Sequence, residues 1–136
     1  MIYMLDTNIC SFIIREKPPS VKEKLKVIDK NNNKIVLSSI VASELLYGAY
    51  KKRSPKLIST VKTFIDFFEV LPFDLIAAEE YGKIRTFLEK KGNIIGAYDL
   101  QIAAHAKSIN AILVTNNTKE FLRIEGLKVE DWTQST

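Results

Sequence analysis

Met1-Ile2-Tyr3-Met4-Leu5-Asp6-Thr7-Asn8 opens the chain, and the reading of this stretch decides the fold. Ile2 to Leu5 are apolar without alternation, which suits a strand buried on both faces, as in a parallel sheet. Asp6, Thr7 and Asn8 follow at once. All three favour turns and helix N-caps, and Ile9, Phe12 and Ile13 then take up helical spacing. The junction puts Asp6 at the carboxyl end of a central strand, where open α/β sheets bind their ligands. A helix cap would explain Asp6 equally well on its own; acids near comparable junctions downstream shift the reading towards a site.

The same alternation continues outward from this stretch. Lys17-Pro18-Pro19-Ser20 breaks the first helix, Val21, Leu25 and Ile28 mark a second, and Asn31 to Asn33 form a turn. Ile35 to Leu37 is the next buried strand. Ser38 and Ser39 end it and lead into a helix with Val41, Leu45 and Ala49 on its apolar face and Glu44 in its second turn. Ser54-Pro55 opens a further helix, whose face of Ile58, Val61, Ile65 and Phe68 is either ordinary core or a dimer surface. Val70-Leu71 is a minimal strand, and Ala77, Tyr81, Ile84 and Leu88 stripe a long helix ending at Lys91-Gly92. Asp99 follows the loop of Gly92 to Gly96 and stands in the first turn of a helix carrying Ile102, Ala103 and Ala106. Ala111 to Val114 is the clearest strand, Phe121 sits on a short helical turn, Leu127 to Val129 is a last edge strand, and Trp132 anchors the tail. Strands alternating with helices predict a three-layer α/β/α sandwich around a mostly parallel sheet, spanning residues 1–136 as a single domain.

Composition narrows the chemistry. The 136 residues are 46% hydrophobic and 26% charged, as expected of a globular protein with a full core. No stretch approaches the roughly 20 apolar residues of a membrane span, and no basic region with a cleavage site precedes the first strand. Cys10 is the one cysteine, so a cytoplasmic setting is expected and a disulfide framework is not. One cysteine and one histidine also argue against a zinc site, and His105, among alanines, reads as packing. Any metal must be held by carboxylates, which points to a hard ion such as Mg2+ or Mn2+. The net charge of +4 is unevenly spread, with Lys51, Lys52, Arg53, Lys56 and Lys62 in a segment free of acids. Such a cluster is either a solvated helix face or a surface for a polyanion.

Asp6, Glu44 and Asp99 lie on separate elements, and each could face the same crevice. Crowded carboxylates repel one another and raise their own pKa values, unless salt bridges or a divalent cation neutralise them.

Leu5-Asp6-Thr7-Asn8, Ser39 through Glu44 to Gly48, Asp99 to Ala104, and Leu113 to Asn117 with Phe121 together resemble the PIN-domain family, in order and along nearly the whole chain. Within it the sequence is similar to the VapC toxins of bacterial type II toxin–antitoxin pairs. The resemblance implies a magnesium-dependent endoribonuclease with Asp6, Glu44 and Asp99 as catalytic metal ligands. It implies supporting roles for Asn8, Ser39 and Thr115, which would orient ligands by hydrogen bonds. Many family members carry a fourth acid where this chain has Asn117; either the Asn117 amide or Glu120, one helical turn on, could replace it. Lys51, Lys52, Arg53 and Lys83 are candidates for holding RNA phosphates. The implied partners are an RNA substrate, with tRNA a common target in the family, a VapB-type antitoxin and a second copy of the chain. Two other folds that place an Asp after the first strand fit poorly. The haloacid dehalogenase type needs an acid where Asn8 stands, and a receiver domain needs a lysine near Thr115. A PIN-like module that binds RNA or protein without cutting is the alternative from a different class.

Overall fold

Consecutive burial along short strands sets the architecture. In β1 (Ile2–Leu5), β2 (Lys34–Ser38) and β4 (Ile112–Val114), the adjacent pairs Met4 and Leu5, Val36 and Leu37, and Leu113 and Val114 are all inaccessible to solvent. Neighbours on a strand point to opposite faces, so both faces of the sheet are covered. The computed structural model describes residues 1–134. It joins these strands to β3 (Glu69–Leu71) and β5 (Lys128–Glu130) in one wholly parallel sheet of order β3-β2-β1-β4-β5. In the centre, Met4 is in register with Val36 on one side and Leu113 on the other.

Among the described residues seven helices connect the strands: α1 (Thr7–Arg15), α2 (Pro19–Lys30), α3 (Ser39–Lys51), α4 (Pro55–Asp66), α5 (Leu75–Lys90), α6 (Ala97–Ser108) and α7 (Thr118–Phe121). The chain steps outward from β1 through β2 to β3, then returns past β1 to β4. Right-handed crossovers therefore set α1 to α4 on one face and α5 and α6 on the other. The contacts agree, with α1 packed on α2, α3 on α4, and α5 on α6. The expected α/β/α sandwich is thus the observed one.

Side chains just ahead of the helices start them. Asp6, Ser38, Ser54 and Asp74 accept the backbone N–H groups of Ile9, Ile40, Leu57 and Ala77 at 2.9, 3.1, 3.2 and 2.9 Å. Gly92 takes a left-handed φ of 71° at the end of α5, as the Lys91-Gly92 signal predicts. The edge strands differ slightly from expectation: β3 begins at Glu69, and β5 runs over Lys128–Glu130 rather than Leu127 to Val129. Both are short and half-exposed, so their apolar pattern fixes register weakly. On α4, Val61 is buried and Ile58 and Ile65 pack against the core, as does Phe68 just past its end, so this face is mostly interior. Trp132 is buried against Tyr3, with ring centroids 5.9 Å apart. Among the described residues no helix is long and apolar enough to cross a membrane.

Candidate active site

The strand order reverses beside β1, and the crevice of an open parallel sheet forms at such a point. Asp6, the first residue past β1, donates its backbone N–H to the Val114 carbonyl at the end of β4, at 3.0 Å. The residue is only 5% exposed. Burial raises the Asp6 pKa from 3.8 to about 6, and the charges of Asp99 and Glu44 push it the same way. Thr115 and the Ile9 N–H act in opposition. The Thr115 oxygen accepts the Asn117 N–H at 3.0 Å, which leaves the hydroxyl proton for Asp6.

Glu44 reaches the same space from the second turn of α3. Its Oε1 accepts a hydrogen bond from the Thr7 hydroxyl at 2.6 Å. Asp99, in the first turn of α6, has a raised pKa through burial first, then through the charges of Glu120 and Glu44. Glu120 is held in turn by the Asn117 side-chain amide, which donates to its carboxylate. The three acids singled out in the sequence therefore lie near enough for their charges to act on one another, and the charge of Glu120 acts on Asp99.

Among the described residues, the ion pairs lie elsewhere, at Lys22–Glu16, Lys34–Glu69 and Arg85–Glu89. Among the described residues no arginine or lysine forms an ion pair with these acids. Nor do three acidic, histidine or cysteine side chains among these residues close into a finished ligand set. An oxygen-only donor set that is open and unneutralised fits a magnesium-like ion, which binds through one or two carboxylates and keeps several waters.

The remaining candidates separate. Asn8 is exposed at the start of α1 and lines a groove with Thr7 and Glu44. The Ser39 hydroxyl accepts the Phe73 N–H at 3.0 Å, tying the start of α3 to the connection before α5. Lys51, Lys52 and Arg53 are exposed at the end of α3, and Lys52 lines the same groove as Asn8. Lys83 lines a different cavity, with Glu80, Phe87 and Lys107. His105 is buried, its Nδ1 2.8 Å from the Ser38 hydroxyl and its ring edge-on to Phe73. Cys10 is also buried, which pushes its thiol pKa up. Thr7 was not singled out in the sequence as a site residue, although it stands inside the Leu5 to Asn8 motif.

With the acids at the switch point of a parallel sheet, comparison with known proteins gives the class. The PIN domain profile matches residues 3–127, and the chain belongs to the PIN-domain family. Its similarity within that family is to VapC ribonucleases. It is 48% identical over 133 residues to Ribonuclease VapC2 of Rickettsia felis, covering 97% of this chain and 98% of that protein. To the tRNA(fMet)-specific endonuclease VapC of Shigella flexneri it is 43% identical over 132 residues, covering 96% and 98%. The crystal structure of VapBC2 from Rickettsia felis, bound to a DNA fragment from the promoter, contains a chain that superposes with a TM-score of 0.91 at 47% identity, covering 97% of this chain and 99% of that one.

Proposed function

We propose that this chain is a magnesium-dependent endoribonuclease toxin that cleaves tRNA in the cytoplasm as a single nuclease domain, and that a VapB-type antitoxin neutralises it. Asp6 carries this reading: a nearly buried carboxylate, under the charges of Asp99 and Glu44, that among the described residues forms no ion pair. The names of the VapC relatives support ribonuclease activity, two of them specify tRNA(fMet), and the VapBC crystal structures support the antitoxin. A homodimer is expected by the same family analogy.

Asp6, Asp99 and Glu44 would hold the magnesium ion, with manganese as a substitute. When bound, the ion supplies positive charge against the phosphoryl oxygens and lowers the pKa of water in its shell. The protein's own groups set the geometry. Thr7 fixes the Glu44 carboxylate, Thr115 turns its hydroxyl proton towards Asp6, and Asn117 holds Glu120 as the fourth acid. Water attacks phosphorus in line while the bond to the 3′ oxygen breaks, leaving a 5′-phosphate and a 3′-hydroxyl. His105 is packed against Ser38 and has no part in proton transfer.

Incubating the purified protein with total RNA and magnesium tests this directly. Cleavage should vanish with chelator and in Asp6→Asn. Cleavage that survives both rules out the metal mechanism, and none under any condition leaves a binding module.

A further inference from the structure

We propose that the groove between α1, α3 and α4 carries the RNA strand away from the cleavage site, with Arg15 and Lys52 holding its phosphates; this deepens, and rests on, the ribonuclease reading. The groove encloses about 370 Å³ and opens at Thr7, Asn8 and Glu44, beside the acids. That volume lies within the range of ligand pockets, about 300–1,000 Å³. Arg15 and Lys52 also line it. Between them the floor is apolar, with Leu45, Ala49 and Val61 all buried.

Glu44, Gly48 and Lys52 are spaced four residues apart, so they follow one face of α3 and its C-cap, over about 12 Å. Gly48 is the bare point of this line: a Cβ built there meets nothing within 4 Å. The absent side chain leaves the groove open, and a flat base can lie on the apolar floor where a leucine would otherwise stand.

Charge selects the occupant. Among the described residues neither Arg15 nor Lys52 forms an ion pair. The Arg15 guanidinium is stacked over Phe12 at 5.3 Å, and its Nε donates to the Ser11 carbonyl at 3.3 Å. The terminal amino groups of Arg15 stay available in a fixed plane, the geometry that suits a phosphate. A polyanion that reaches the acids through a divalent ion meets attractive charge at both ends of this groove. A peptide offering a basic side chain to the acids would meet repulsion from Arg15 and Lys52 wherever it continued with further basic residues.

Fluorescence anisotropy with a labelled single-stranded oligoribonucleotide tests the proposal, using Asp99→Asn protein in magnesium to prevent cutting. Adding Gly48→Leu should weaken binding at least ten-fold, whereas Gly82→Leu, also at an open helix glycine but on α5, should not. Leucine has the higher helix propensity, so α3 should hold, and melting followed by circular dichroism checks this. Arg15→Gln with Lys52→Gln, both surface changes, should lower the slope of log affinity against log salt by about 0.7 for each phosphate released. That pair carries the test if Gly48→Leu fails to fold. Unchanged affinity and slope overturn the proposal. It is equally overturned if Gly48→Leu keeps RNA binding but loses the cognate antitoxin, since the groove then belongs to a peptide. Protein with its acids intact that cuts no RNA overturns the ribonuclease reading instead. Intact and Gly48→Leu proteins cutting equally well overturn the groove alone.

Discussion

Thr7 donates its hydroxyl proton to Glu44 at 2.6 Å, joining the first turn of α1 to the second turn of α3 across 37 positions of sequence. Asp6 precedes Thr7, so one short segment supplies a buried acid and the group that orients a second one. A hydrogen bond to a charged acceptor contributes about 1.5–3 kcal/mol, enough to select one rotamer of an otherwise mobile carboxylate.

Thr7→Val should lower kcat for RNA cleavage about ten-fold or more while KM changes little, because the bond orients a carboxylate proposed above to hold the metal ion. Thr7→Ser keeps the hydroxyl and should restore most of the rate. Steady-state kinetics on a labelled RNA, with thermal melts of each variant, separates this from a loss of fold.

The buried Asp6 makes metal-free stability depend on pH with a definite sign. Its folded pKa, about 6, lies above the unfolded 3.8, so the fold favours the protonated form. The contribution is present in full below about pH 4 and lost as pH rises through 6, a change of about 3 kcal/mol. Urea unfolding of the metal-free protein at several pH values should show this loss, and Asp6→Asn should remove most of it. Magnesium at pH 7 should raise the melting temperature of the native sequence but not that of Asp6→Asn. No difference between the two proteins across this range would refute the burial of a charged Asp6.

Asn117 donates to the Glu120 carboxylate, whose charge acts on Asp99. Glu120→Gln should raise the magnesium concentration needed for half-maximal cleavage several-fold, since it removes a charge beside Asp99. Asn117→Ala removes only the donor that holds Glu120 and should have a smaller effect in the same direction. Magnesium titrations of the initial rate rank the two.

Ser38 serves both a helix and a histidine. Its oxygen accepts the Ile40 N–H at 3.1 Å and lies 2.8 Å from His105 Nδ1. Ser38→Ala removes an N-cap, about 1 kcal/mol, and leaves a buried ring nitrogen unpaired, about 1–3 kcal/mol more. Denaturant unfolding should report a loss near the sum of the two, with the slope against denaturant unchanged.

The elements nearest the core were the most legible in the sequence. Unbroken apolar runs such as Tyr3 to Leu5 and Ile112 to Val114 announce doubly covered strands, and the acids at Asp6, Glu44 and Asp99 stand out against apolar neighbours. The edge strands were off by a residue because a half-exposed strand of three residues has little pattern to read. Pairings between helices were invisible. Nothing in Thr7 names Glu44 as its partner, and nothing in Ser39 says that its oxygen accepts the Phe73 N–H. Ser38 looked like a strand terminator, yet it also anchors His105. Arg15 and Lys52 share a groove only because α1 and α3 pack side by side.

The central strand has one neighbour near it in sequence, β2, and another far along the chain, β4. β1 pairs with β4, and the Asp6 backbone is tied to Val114, more than a hundred residues downstream. Long-range pairings of this kind form late, after the loop between them has closed. A chain interrupted before Val114 therefore lacks one wall of the crevice, along with Thr115 and Glu120. The crevice can therefore take shape only after β4 has joined the sheet, which ties its assembly to the longest loop closure of the central strands.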